Sequence, residues 1–240
     1  NLVFKFKCNK VYALFFLILT ITLSLVSCKK NEKEPKLDQV SKVKYVNPFI
    51  GTAGHGHTYP GATVPFGMLQ VSPDNGISKW DWCSGYHYSD SITIGFSHLH
   101  LSGTGIGDLA DVRLMPINKK VDLTKEVKSR DDIPYKSTYS HLNETAKPGY
   151  YSVDLKDFNI KTELTSSLRT ANHKYTFDKE DIQSVIIDLG FAINWDKTLI
   201  SNIKIVKQDI LEAEFNDADV ILCWFMDAEI LEKMMEKFKK

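Results

Sequence analysis

The chain has 240 residues and a mass of 27.3 kDa, enough for one large domain or two small ones around a real core. Its 30 basic and 30 acidic residues balance, which argues against a nucleic-acid binder with a basic footprint and against an acidic disordered tail. Four cysteines, at positions 8, 28, 83 and 223, show neither zinc-ligand spacing nor the density of a disulfide framework.

Residues 1–28 read as an address rather than as part of a fold. Lys5, Lys7 and Lys10 form a basic start, and an apolar run follows from Val11 to Val26. At 16 residues that run is shorter than the roughly 20 a bilayer span needs. It ends at Ser27-Cys28, a small residue before a cysteine, and so resembles a bacterial lipoprotein signal in which Cys28 becomes the lipidated first residue. A plain secretory signal and an uncleaved anchor are the competing readings. The expected location is the bacterial envelope, at the outer membrane or in the periplasm. The first residue is Asn1 rather than Met, as expected of a piece from a longer reading frame. Residues 29–43 read as a flexible tether, polar over Lys29–Lys36 with a single Pro35. Such a lipid and tether hold a domain at a membrane without spanning it.

From about Tyr45 to Val206 the periodicity is mostly two. Ile92, Ile94, Phe96, His98 and His100 fall on one face of an expected strand. Tyr151, Val153 and Leu155 alternate with polar neighbours, as do Ile160, Thr162 and Leu164, then His173, Tyr175 and Phe177. Val185–Ile187 reads as a strand buried on both sides. Turn signals separate these runs at Asp74-Asn75-Gly76, at Pro148-Gly149 and across 51–61. Short strands with polar loops and no strong helix predict an all-β fold, a β-sandwich. The tail differs: Ala218–Phe225 is strand-like, and Asp227 would cap a helix with Ile230, Leu231, Met234 and Phe238 on one stripe. We expect 207–240 to be a short, divergent α/β-like tail.

Three segments carry the chemistry. The first, Asn47–Met68, is rich in glycine and would present His55 and His57 to a ligand. The second is Trp80-Asp81-Trp82-Cys83-Ser84-Gly85-Tyr86-His87-Tyr88, whose aromatics around an acid suit a sugar. Apolar ring faces stack on aromatics, while hydroxyls need a few fixed polar groups. The third is His98-Leu99-His100-Leu101-Ser102-Gly103-Thr104-Gly105. His98 and His100 sit two apart on a strand and point the same way, as metal ligands do, and His55 and His57 would complete a set. No cysteine or acid has matching spacing, so hydrogen-bonded wall residues are the favoured reading. Gly103-Thr104-Gly105-Ile106-Gly107 resembles a nucleotide-type glycine loop, but Asp108–Val112 leads into a strand instead of a helix. Asp90, Asp108 and Asp111 are expected to be solvated carboxylates at strand or turn ends.

Taken together, Asn47–Met68, Trp80–His87 and His98–Gly105 resemble the N-terminal part of the family-92 glycoside hydrolases, the exo-acting α-mannosidases of Bacteroidetes-type bacteria. His173–Phe177, Ile186–Gly190 and Ile193–Asp196 fit the same pattern, so the resemblance covers roughly 44–206. It implies an N-terminal β-sandwich packed on an (α/α)6 barrel, with an α-1,2-mannosidase-like activity toward glycoprotein or mannan glycans. It also implies dependence on Ca2+ and inversion at the anomeric carbon. An inverting enzyme sets its acid and base carboxyls roughly 6.5–9.5 Å apart to admit a water. The family's catalytic acid, base and calcium ligands belong to the barrel, so no catalytic residue and no metal ligand is assigned in this chain, which alone is expected to be inactive. Its share of the sugar site is assigned to Trp80, Asp81, Trp82 and His87, with His57 and His100 behind them. The two tryptophans would stack, and Asp81 and the histidines would bind hydroxyls.

The tail after 206 departs from the family pattern and weakly resembles a piece of a small methyltransferase, as a frameshift or mis-joined frame would produce. A sandwich cut short there is expected to expose an apolar edge and to aggregate. The expected partners are α-mannoside glycans and, through the lipid, a membrane; nucleic acid is not among them. The rival readings are a non-catalytic mannoside-binding lipoprotein sandwich and, less favoured, a histidine-based metal enzyme.

Overall fold

The computed structural model describes residues 42–76, 79–178, 182–191, 193 and 198–201. The signal with Cys28, most of the tether, the Asn194–Asp196 segment and the tail 207–240 lie outside the described residues.

Eleven strands are described, and every pairing between them is antiparallel. They are β1 Ala62–Thr63, β2 Gln70–Asp74, β3 Ile92–Thr93, β4 Gly95–Ser97, β5 Arg113–Ile117, β6 Ser137–Thr138, β7 Glu144–Lys147, β8 Tyr150–Leu155, β9 Ile160–Ser166, β10 Ala171–Thr176 and β11 Ser184–Asp188. A five-stranded sheet runs in the order β1-β2-β4-β5-β11, and a four-stranded sheet runs β10-β9-β8-β7. A small third sheet pairs β3 with β6. Among the described residues helical structure is limited to short 3-10 turns, and no helix is long and apolar enough to cross a membrane.

The two larger sheets make a sandwich, as the alternation predicts. Ala62, Val71, Phe96, Met115 and Ile117 of one sheet face Tyr151, Val153, Leu155, Ile160 and Leu164 of the other. In β8 and β9 the residues expected to point inward, 151, 153 and 155, then 160, 162 and 164, are all buried. Each such aliphatic side chain contributes about 1.5–3 kcal/mol over its exposed state.

Two expectations about strands need correction. The single run Ile92–His100 is two strands, because Ile92 and Thr93 leave the large sheet to pair with Thr138 and Ser137. Val185–Ile187 does form a strand, but among the described residues β11 pairs only with β5, and Ile187 is exposed instead of doubly buried.

The segment bearing the aromatic loop is staked to this framework. The Tyr86 hydroxyl donates to the buried Glu144 carboxylate on β7 (3.0 Å), which also accepts from Tyr151 (2.7 Å) and from His141 Nδ1 (2.6 Å). Burial, with the Glu144 charge adding to it, pushes the Tyr151 hydroxyl far above its usual value, so it stays a donor. Asn75 works from the other side: its Nδ2 donates to the Ile92 carbonyl (2.7 Å), and its Oδ1 accepts from the His87 amide (2.7 Å).

Candidate functional site

The three chemistry-bearing segments converge, although up to 50 residues separate them in sequence. Trp80–Trp82 forms a single 3-10 turn, which swings Trp80 and Asp81 outward. The Trp80 indole N–H donates to the Gly105 carbonyl (2.6 Å), and the Gly103 amide donates to the His57 carbonyl (2.6 Å). Trp80 packs edge-on against the His57 ring at 4.2 Å between centroids. Gly105 has a positive φ of +66°, and a Cβ there would crowd Trp80 and His57 at 3.1 and 3.2 Å. The histidine pair is shaped as tightly, because a Cβ at Gly56 would lie 2.0 Å from the Gly51 carbonyl oxygen. His57 itself is left-handed, with φ of +53°, an uncommon state for a residue with a side chain.

Asp81 is the centre of the cluster. Its Oδ1 accepts from His55 Nδ1 at 2.6 Å and from His57 Nε2 at 3.2 Å. A carboxylate only accepts, so each ring is protonated on the nitrogen that faces it. The His55 hydrogen bond, helped by that of His57, holds the Asp81 carboxyl below its ordinary value despite partial burial. The side chains grade from open to closed: His55 is 77% exposed, Asp81 24% and His57 6%. Trp80 is 59% exposed, a large apolar ring offered to solvent.

The remaining assigned residues are placed differently. Trp82 stacks on His87 at 4.3 Å and 24°, and its indole donates to Asp90 Oδ2 (2.9 Å). His87 accepts the Ser89 amide on Nδ1 (3.3 Å) and donates from Nε2 to the Gly54 carbonyl (3.2 Å), which leaves it buried and tying one loop to the other. His100 is apart from the cluster. Its ring is wholly buried, with Nδ1 on the Gln70 carbonyl (2.7 Å) and Nε2 at 3.0 Å from Asp74 Oδ1.

The imagined set of four histidines does not assemble. His98 donates from Nδ1 to the Val112 carbonyl (2.6 Å) and accepts on Nε2 from His173 Nε2 (3.2 Å), while His173 Nδ1 accepts from the Tyr175 hydroxyl (2.8 Å). The carboxylate that joins His55 and His57 is Asp81, a partner no local spacing rule would select. Asp90 also departs from expectation: it is buried, ion-paired with Arg130, and accepts from Trp82, so it supports the aromatic loop instead of lying in solvent. Asp108 accepts the amide of its neighbour Leu109 (2.8 Å), a local turn contact.

Comparison with known proteins agrees with this architecture. The model of the glycosyl hydrolase family 92 N-terminal domain matches residues 45–221. A solved family-92 α-mannosidase from Bacteroides thetaiotaomicron, determined with mannoimidazole, is 43% identical with a TM-score of 0.58, the match covering 62% of this chain and 20% of that one. An inverting mannosidase of the same family and organism is 30% identical with a TM-score of 0.51 over the same shares. An uncharacterized secreted glycosidase of Arthroderma benhamiae is 30% identical over 155 residues, 61% of this chain and 20% of its own length. The chain thus spans about a fifth of the length of the relatives it matches.

Proposed function

Because the chain belongs to glycoside hydrolase family 92 through that family's N-terminal domain, we propose that it forms one wall of the sugar site of an exo-acting, inverting α-mannosidase. The observation that carries this is the Trp80–Asp81 pair, an exposed indole face beside a carboxylate on an otherwise rigid loop cluster. The Trp80 ring stacks on the apolar face of a mannose, and Asp81 accepts from a hydroxyl through Oδ2, the oxygen that neither histidine uses. His57 orients Asp81 from beneath. Trp82 and His87 act through packing, holding the aromatic loop against Gly54. His100 acts further back, fixing Asp74 under the same loops.

Calcium, which the resemblance implies, does not fit the residues described here. The group of three possible ligands among them offers two imidazoles and one carboxylate, where calcium takes six to eight oxygens. Its ligands, like the acid and base carboxyls, are proposed to lie outside this domain, and no step is assigned to them here. Anchoring at Cys28 in the bacterial envelope is proposed on the signal-like sequence of residues 1–28. It is checked by fatty-acid labelling, which Cys28→Ser should abolish.

A domain exchange tests the sugar reading. Residues 45–221 replace the matching domain of the 43%-identical Bacteroides α-mannosidase. The chimera is expected to release mannose from α-mannosides, with Trp80→Ala and Asp81→Asn each lowering kcat/KM at least about tenfold. A folded chimera that is inactive, or indifferent to both substitutions, overturns the proposal. Saturable mannoside binding by the chain alone would instead favour a non-catalytic binding lipoprotein.

A further inference from the structure

We propose that His55, His57 and Asp81 form a binding site for a divalent cation of borderline softness, of which zinc is the type. The inference stands apart from the sugar reading and needs no mannoside. His55 Nδ1, His57 Nε2 and Asp81 Oδ1 all lie within 4.8 Å of one another. Four ligands at about 2.0–2.1 Å from a tetrahedral metal stand about 3.3 Å apart. The His57–Asp81 separation of 3.2 Å already has that value. The His55–Asp81 separation of 2.6 Å must open, and His55 is the exposed member, free to swing outward.

The two imidazoles now share one oxygen through their ring protons, so a cation entering the triangle replaces that proton-mediated contact. Each ring then coordinates in its other tautomer, its proton moving to the nitrogen that faces away from the metal. No proton need leave the site. The ligand set decides the class of metal: imidazole nitrogen suits zinc, cobalt, nickel and copper, whereas magnesium and calcium require oxygen.

The buried half of the site is fixed in advance. His57 has its backbone carbonyl tied to the Gly103 amide and its ring wedged by Trp80, whose indole is itself anchored to Gly105. Backbone and packing contacts of this kind hold a ligand in place before the metal arrives. Three protein ligands leave a fourth position open toward solvent beside Trp80. The other imidazoles are engaged elsewhere: His98 and His173 bond to each other, His87 and His100 are spent on Gly54 and Asp74, and His141 is held by Glu144.

The test uses the full chain, free of any affinity tag and stripped with a chelator. Zinc is titrated by calorimetry and cobalt by visible absorption. The expected result is one equivalent of zinc, a cobalt spectrum of low coordination number, and no competition from calcium at about a hundredfold excess. His55→Ala and Asp81→Asn should each weaken zinc binding at least about tenfold, while metal-free melts of His55→Ala match the parent and exclude unfolding as the cause. Absence of zinc binding up to about 0.1 mM, or binding that neither substitution weakens, overturns the proposal.

Discussion

Two groups of histidines lie in the same domain and behave as opposites. In the loop cluster, His55 and His57 converge on one carboxylate, and the group opens to solvent at its outer member. In the other group, His98 and His173 form a one-way relay from the Tyr175 hydroxyl to the Val112 carbonyl, with every ring nitrogen spent. The difference is one of hydrogen-bond direction. The relay needs one proton per ring and rejects a second, whereas the loop cluster gathers its donors around a shared carboxylate, whose bridging protons the proposed cation would displace. Spacing in the chain is two residues in both the His55–His57 and the His98–His100 pairs, so spacing alone does not distinguish them.

The sharpest way to break this contrast is to remove a buried imidazole. His100→Ala leaves the Asp74 carboxylate buried with the Ser97 amide as its remaining named donor, and should cost about 3 kcal/mol in urea unfolding. His173→Ala should cost about 2 kcal/mol, since it deprives both His98 and the Tyr175 hydroxyl of a partner. A pH series then separates the two groups. Burial holds His173 well below the usual imidazole value of 6.5, with His98 alongside adding to the effect, and burial lowers His98 against its bond to Val112. The folded state therefore takes up fewer protons than the unfolded one below 6.5. Stability should be full above that value and fall as pH drops through it, less steeply in His173→Phe. Asp81 is a lowered carboxyl, so its contribution should persist above 3.8 and disappear only as pH falls further. The smallest effect belongs to His55→Ala, whose metal-free stability should stay within about 0.5 kcal/mol of the parent.

The parts of the fold that depend on local alternation are legible from the chain. In β8 and β9 every second residue meets one buried face, so Tyr151, Val153, Leu155, Ile160 and Leu164 are found by period alone. Neighbouring strands decide what period cannot. Thr93 is drawn off to Ser137, which splits one apparent strand into two, and among the described residues β11 has a partner on one side only, with Ile187 exposed. At the candidate site, the unusual composition of Trp80–Asp81–Trp82 marks a loop on which the three segments converge. Which of its side chains turn outward is set by a 3-10 turn and by partners far along the chain, among them Arg130 for Asp90. His87 and His100 resemble binding residues by type and instead serve as internal ties, because the acceptors that claim them, Gly54 and Asp74, are brought near only by folding.

The hydroxyl of Tyr86 reaches from the aromatic loop to Glu144 on β7, a carboxylate shared with Tyr151 of the adjoining strand β8. A sugar arriving at Trp80, as proposed, would therefore meet a surface with little slack left to take up. Most of the ordering entropy was surrendered when the chain folded, so recognition at this surface should be governed by shape fit and by shedding water, with little accompanying rearrangement of the backbone.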